Sequence, residues 1–106
     1  MSQVFLDQFA EWATNDRLIY PSKAIEEARL SYIDTIACIL AGQNHPISTK
    51  IQQFNQSLHT ESSVMGTALL NACHAGILDY DDYESAGSSH PSAPIIASVL
   101  AFLQQK

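Results

Sequence analysis

Apolar residues recur three and four positions apart through most of the chain, which is the spacing of one face of an α-helix. The clearest stretch begins at Pro21, which suits the first turn of a helix, and ends at Gly42, which suits a helix terminus. Four other stretches repeat the spacing, and none alternates convincingly in the manner of a β-strand. We therefore predict an all-α fold, a helical bundle of about five helices.

The predicted helices differ in how they should pack. The third, over residues 47–58, has a single narrow apolar face in a glutamine-rich segment, so it is expected on the outside of the bundle. The fourth, over residues 65–78, is apolar and rich in small side chains, which let neighbouring helices approach closely. A loop with glycine, serine and proline follows over residues 82–92, and Pro94 suits the first turn of the fifth helix.

Length and composition limit the function classes. With 106 residues, of which 46% are hydrophobic, the chain can form one modest core, so we expect a single domain over residues 1–106. The formal net charge of −6 leaves no positive surface for phosphate backbones, so nucleic acid is not an expected partner. No apolar run approaches the roughly 20 residues of a membrane span, and the N-terminus lacks a basic secretory start. We expect no membrane association and a cytoplasmic location.

Four residues within the helices carry expectations of their own. Cys38 and Cys73 lie far apart in apolar patterns, so reduced, buried thiols are expected. His74, alone on an apolar helix, is typical of a hydrogen-bonded interior histidine. Asp34 lies among apolar neighbours, where a carboxylate is costly unless paired, so we expect a partner such as an arginine or a helix N-terminus.

The apolar last helix has no capping signal, which suggests a fragment of a larger protein.

One segment carries a dense set of acidic side chains, at the junction between the predicted fourth helix and the loop that leads to His90. The four carboxylates are Asp79, Asp81, Asp82 and Glu84. Crowding of like charges disfavours ionisation, and proteins use it to make a carboxylic acid titrate near neutrality for acid or base work. The alternative is that this run is a solvated helix end, which is the ordinary role of clustered charges.

Within this segment the helical spacing predicts different environments for the carboxylates. Asp79 directly follows Leu78, so it is expected nearest the core and best desolvated. Asp82, three residues later, is expected on the same helix face. Asp81 and Glu84 are expected to point to water.

The spacing of the candidate residues tests whether the chain can hold a metal ion or present a covalent nucleophile. An EF-hand loop beginning at Asp79 needs glycine at its sixth position and glutamate at its twelfth, where this chain has Glu84 and His90. A transition-metal site could draw on His74, Asp79, Asp82 and His90. His74 and Asp79 are five residues apart and do not share a helix face, and Cys73 lies in a helix without the glycine turn that exposes a nucleophile. We expect no metal and no covalent nucleophile.

Two separated motifs resemble the N-terminal part of the MmgE/PrpD family. Residues 32–42 read Tyr-Ile-Asp-Thr-Ile-Ala-Cys-Ile-Leu-Ala-Gly, and residues 78–82 read Leu-Asp-Tyr-Asp-Asp, followed over residues 90–94 by His-Pro-Ser-Ala-Pro. The resemblance extends from about Phe5 onward. Family members include 2-methylcitrate dehydratase, cis-aconitate decarboxylase and an epimerase of iminodisuccinate, all cofactor-free. The resemblance implies the first helices of a large helical domain, in dimeric enzymes that also carry a smaller lid domain.

The resemblance also implies site residues. Asp79 matches the active-site aspartate, His90 matches the histidine before the proline, and Asp82 ends the acidic motif. Tyr83 departs from the family pattern, which usually has threonine at this position, and it is the candidate substrate-binding residue. The implied function is the N-terminal part of a cofactor-free lyase, a dehydratase or decarboxylase, or of an isomerase. Its substrate would be a small polycarboxylate such as 2-methylcitrate or aconitate, as in propionate metabolism.

The basic residues all lie outside the acidic segment; they are Arg17, Lys23, Arg29, Lys50 and Lys106. A polyanionic substrate needs cations, so the anion-binding groups should come from the missing remainder of the family fold or from another polypeptide, a second copy or a complementary C-terminal chain. The isolated chain is therefore expected to be inactive. The alternative is a non-catalytic helical module that self-associates or binds a partner protein through exposed apolar faces.

Overall fold

The computed structural model describes residues 3–105, and within that range the chain forms five helices. They are α1 (Gln3–Ala13), α2 (Ser22–Gly42), α3 (Ser48–Ser57), α4 (Val64–Gly76) and α5 (Ser92–Gln104). The predicted all-α bundle of about five helices is confirmed. None of these five helices is both long and apolar enough to cross a membrane.

The centre of the bundle is α4, which packs against α5, α2 and α3, while α2 also contacts α5. Among the described residues, the buried apolar ones are all small; they are Cys38, Ala75, Ala93, Ala97 and Ala101. Small side chains let helix backbones approach closely. Ala75 lies in α4, the helix whose composition predicted such packing, whereas Ala93, Ala97 and Ala101 lie in α5. Cys38 is buried and Cys73 is half-buried, and both are free thiols.

At two glycines the neighbouring backbone lies too close to leave room for a side chain. A methyl group at Gly42, the last residue of α2, would overlap the backbone carbonyl oxygen of His74 in α4. A methyl group at Gly66 would overlap the carbonyl oxygen of Thr60, in the turn before α4. Because these contacts are with backbone atoms, which cannot rotate away, the packing of α4 depends on both glycines lacking a side chain.

The third helix lies on the outside of the bundle, as predicted, but the face that it turns inward is polar. Its buried residues are Ser48 and Asn55. The Asn55 amide donates a 2.8 Å hydrogen bond to the carbonyl of Gly66, and the hydroxyl of Ser48 is hydrogen-bonded to His74. Most of the apolar stripe that the spacing reveals is therefore exposed, including Phe54.

Candidate functional site

The loop between α4 and α5 begins with a sharp reversal. After Gly76 the chain turns, and the backbone N–H of Asp79 donates to the carbonyl of Gly76 at 3.1 Å. Asp79 has a φ of 56°, in the left-handed region that aspartate tolerates better than most residues. The helix therefore ends before the acidic segment begins. The prediction that Asp79 and Asp82 share a helix face is wrong, because neither residue is helical.

The reversal exchanges the predicted environments of two carboxylates. Asp79 is exposed, whereas the side chain of Asp81 is only 4% exposed. The predictions that Asp79 lies nearest the core and that Asp81 points to water are therefore wrong. Glu84 is exposed, as expected, and its carboxylate accepts hydrogen bonds from the N–H groups of Ala86 and Gly87.

The far side of the loop returns His90 to the acidic residues. Glu84 and Ser89 pair their backbones as a short antiparallel bridge, with hydrogen bonds of 2.8 and 3.1 Å. His90 Nδ1 then lies 3.3 Å from Asp81 Oδ2. One nitrogen of His90 and one oxygen each of Asp79 and Asp81 all lie within 4.8 Å of one another. The loop thus brings Asp79 and His90 together and adds Asp81, which the sequence analysis assigned to solvent.

The other two predicted site residues flank this cluster. The ring of Tyr83 packs edge-on against the imidazole of His90, with centroids 5.5 Å apart, and most of the tyrosine is exposed. Asp82 instead accepts hydrogen bonds from the N–H and hydroxyl of Ser92, at 3.1 and 2.7 Å. Asp82 therefore holds the loop against the first residue of α5. Its catalytic role, like that of Tyr83 in binding substrate, stays a prediction.

The four residues that the sequence offered for a metal site do not act together in the structure. His74 is hydrogen-bonded to Ser48, and Asp82 is hydrogen-bonded to Ser92. Among the described residues, Asp79, Asp81 and His90 could offer ligand atoms to one ion. Two carboxylates and one imidazole supply three ligands, so a bound ion would need water or another group to complete its coordination.

Negative charge surrounds Cys38 on the α2 side of the loop. Burial raises the pKa of the Cys38 thiol, and the carboxylates of Asp34, Asp81 and Asp82 raise it further. Asp34 itself is exposed and, with Asp82, lines an open groove of about 530 Å³. The prediction that Asp34 has a partner is wrong for the described residues, since an exposed carboxylate remains hydrated without one.

His74 has the role expected of an interior histidine. It is buried, its Nε2 lies 2.6 Å from the hydroxyl of Ser48, and burial lowers its pKa below the ordinary value. The bond fastens α3 to α4. His74 is therefore part of the scaffold and not of the candidate site.

No sequence signal indicated the burial of Asp81. A methyl group added at Gly76 would lie 3.7 Å from Asp81 Oδ2, in ordinary contact, so the position of this carboxylate does not require the glycine. The spacing of the acidic residues carries no such information, because it assumes that the helix continues.

The comparisons with known proteins agree with the two motifs. The sequence model of the MmgE/PrpD N-terminal domain matches residues 7–106, which is nearly the whole chain. No curated protein and no solved structure matches the chain significantly. The match spans the early helix motif, the acidic loop and the His-Pro segment that follows it. The chain therefore belongs to the MmgE/PrpD family, and its residues 7–106 correspond to the N-terminal domain of that family.

Proposed function

We propose that the chain is the N-terminal part of a cofactor-free lyase, a dehydratase or decarboxylase, or of an isomerase. Its substrate is a small polycarboxylate such as 2-methylcitrate or aconitate, in the cytoplasm and in propionate metabolism. The observation that carries the proposal is the approach of His90 to Asp79, within 4.8 Å, on a loop that leaves both accessible to solvent. An imidazole beside a carboxylate is suited to proton transfer near neutral pH.

The chemistry of such reactions needs one group to remove a proton beside a substrate carboxylate and another to protonate a leaving hydroxyl. Asp79 and His90 are the two exposed candidates, and either can take either part in this geometry. Asp82 contributes by fixing the loop to α5 through Ser92. Tyr83, exposed beside the imidazole, is placed to contact a bound substrate.

The acidic loop needs positive charge from elsewhere before it can hold a polyanion. The basic residues Arg17, Lys23, Arg29 and Lys50 all lie outside the loop, and Arg29 pairs at 3.8 Å with Glu26 on the surface of α2. Oriented cations are what stabilise the developing charge in reactions of this type. We therefore propose that a complementary C-terminal chain or a second copy completes the site.

The test is to mix the purified chain with the C-terminal polypeptide of an MmgE/PrpD enzyme and to follow turnover of 2-methylcitrate and cis-aconitate by NMR. We expect turnover only when both polypeptides are present. Asp79→Asn or His90→Gln should lower it by about 100-fold or more, as the loss of an acid or base does.

The matched control is Glu61→Gln, which removes an exposed carboxylate from the turn before α4, far along the chain from the acidic loop. This variant should keep full activity. Equal activity of Asp79→Asn and the unsubstituted chain would contradict the proposal.

A second candidate, a non-catalytic module that self-associates or binds a protein, is favoured by one specific observation. Helix α1 buries none of its residues, although it carries large apolar side chains such as Phe9 and Trp12. Exposed apolar faces of this kind drive association. Absence of turnover in the mixture, together with a stable oligomer in light scattering, would favour this function over the first.

A further inference from the structure

The acidic group that the family resemblance leaves without a role is Asp81. Its side chain is 4% exposed, and its Oδ1 is buried with no hydrogen-bond partner among the described residues. An ionised carboxylate is costly to bury unless a positive or hydrogen-donating group compensates it. Asp81 is therefore the residue of the loop whose placement most needs a physical explanation.

The charged and titratable groups around Asp81 limit the answer. On the α2 side lies the thiol of Cys38, whose pKa is raised in part by the charge of Asp81. From the loop itself come the carboxylates of Asp79 and Asp82. Within the described chain, the group that faces the Asp81 carboxylate is the imidazole of His90, with 3.3 Å between Oδ2 and Nδ1. The imidazole is thus the group that compensates the buried charge.

We propose that Asp81 is a positioning residue that holds the imidazole of His90 with its proton on Nδ1 and its Nε2 facing the substrate. The two nitrogens of histidine are distinct, and the partner of one determines which of them carries the proton. With a buried carboxylate beside Nδ1, the neutral ring leaves the lone pair on Nε2. The edge contact with Tyr83 restricts rotation of the same ring.

This inference rests on the proposed acid–base function of His90. In the forward step, a C–H bond beside a substrate carboxylate breaks and its proton forms the new N–H bond at Nε2, while the electron pair stays on the substrate. Asp81 neither gives nor takes a proton; its charge stabilises the imidazolium that forms. The order of groups is therefore buried carboxylate, imidazole, substrate, with Asp79 exposed on the same loop.

The first test reads the tautomer directly and does not need activity. The chain is labelled with ¹⁵N-histidine, and the signals of His90 are assigned by their loss in His90→Gln. At a pH at which the ring is neutral, we expect the Nδ1–H tautomer to dominate. Asp81→Asn and Asp81→Ala should move the population towards the Nε2–H tautomer that free imidazole prefers.

The matched control is Asp79→Asn, which removes the same charge from the same cluster but on the exposed side. It should leave the tautomer of His90 unchanged. A dominant Nε2–H tautomer in the unsubstituted chain would overturn the proposal, and so would an equal shift in Asp79→Asn. Circular dichroism shows whether each variant is folded, and the unsubstituted chain decides the first point even if Asp81→Asn unfolds.

The second test uses the mixture with a C-terminal polypeptide. Asp81→Asn should lower kcat by about 100-fold or more and change KM little, because a misoriented base affects the chemical step more than binding. If no variant or parent shows turnover, the proposed function fails while the NMR result still decides the role of Asp81. If turnover needs His90 but not Asp81, the proposed function stands and the positioning role is overturned.

Discussion

At the scale of single residues, His74 and His90 have different roles because one is buried and the other is exposed. His74 and His90 are 16 positions apart in sequence, yet one is enclosed between α3 and α4 and the other is exposed on a loop. The apolar helix around His74 was enough to predict an interior position. Its partner Ser48 was not predictable, because the bond depends on which face α3 turns inward.

The buried histidine should make stability depend on pH. Burial lowers the pKa of His74 from its ordinary value of 6.5, so below pH 6.5 the unfolded state binds a proton more readily than the folded state. The contribution to stability is fully present above pH 6.5 and is lost as the pH falls through the lower pKa of the folded state. We expect the urea midpoint to fall between about pH 8 and about pH 5.

Two variants assign this pH dependence. His74→Gln should be less stable at neutral pH, and the fall of its urea midpoint on acidification should be smaller. His59→Asn is the matched control, since His59 is exposed and its φ of 54° suits asparagine. The assignment to His74 would be wrong if the urea midpoints of His74→Gln and His59→Asn fell by the same amount on acidification.

At the scale of the helices, the end of α2 lies in direct contact with the end of α4. A side chain at Gly42 would meet the backbone carbonyl of His74, which cannot move without shifting α4. Gly76, at the end of α4, has room for a methyl group, with the nearest atom at 3.7 Å. Neither glycine has a positive φ, so the two positions differ in space and not in backbone conformation.

Alanine at these two glycines should therefore give opposite results. Gly42→Ala is expected to lower the free energy of unfolding by about 2 to 3 kcal/mol, as overpacking against rigid atoms does. Gly76→Ala should be neutral or stabilising by up to about 1 kcal/mol, because alanine favours the helix. Urea unfolding of both variants checks this, and similar losses in the two would show that the helices do not meet at Gly42 as described.

The helices show what the sequence could and could not predict. Periodicity, proline starts and the glycine at position 42 were sufficient for the number and order of the helices. The end of α4 was predicted at Leu78, two residues late, because the left-handed turn at Asp79 leaves no mark in an apolar pattern. That single turn also reversed the predicted environments of Asp79 and Asp81. The sequence motif was therefore enough to identify the residues of the candidate site but not to predict its geometry.

The whole molecule is more open than a compact protein of its size. Its radius of gyration is 15.8 Å, whereas a compact chain of 106 residues has one of about 13 Å. Its accessible surface is 7919 Å², against about 5,800 Å² for a folded monomer of 11.6 kDa. The core explains the difference, since the buried apolar residues of the described chain are alanines and one cysteine while most of the large apolar side chains are exposed.

This open surface predicts that the isolated chain self-associates. Helix α1 presents a row of neighbouring aromatic rings, Phe5, Phe9 and Trp12, each about half exposed. Light scattering should therefore give a mass at least twice 11.6 kDa, increasing with concentration.

Replacing Phe9 and Trp12 together by serine should lower that mass. Thermal stability should change by less than about 1 kcal/mol, because α1 buries no residue. Glu11→Gln, on the same helix, is the control that should leave the mass unchanged, and a monomer at every concentration would contradict the prediction.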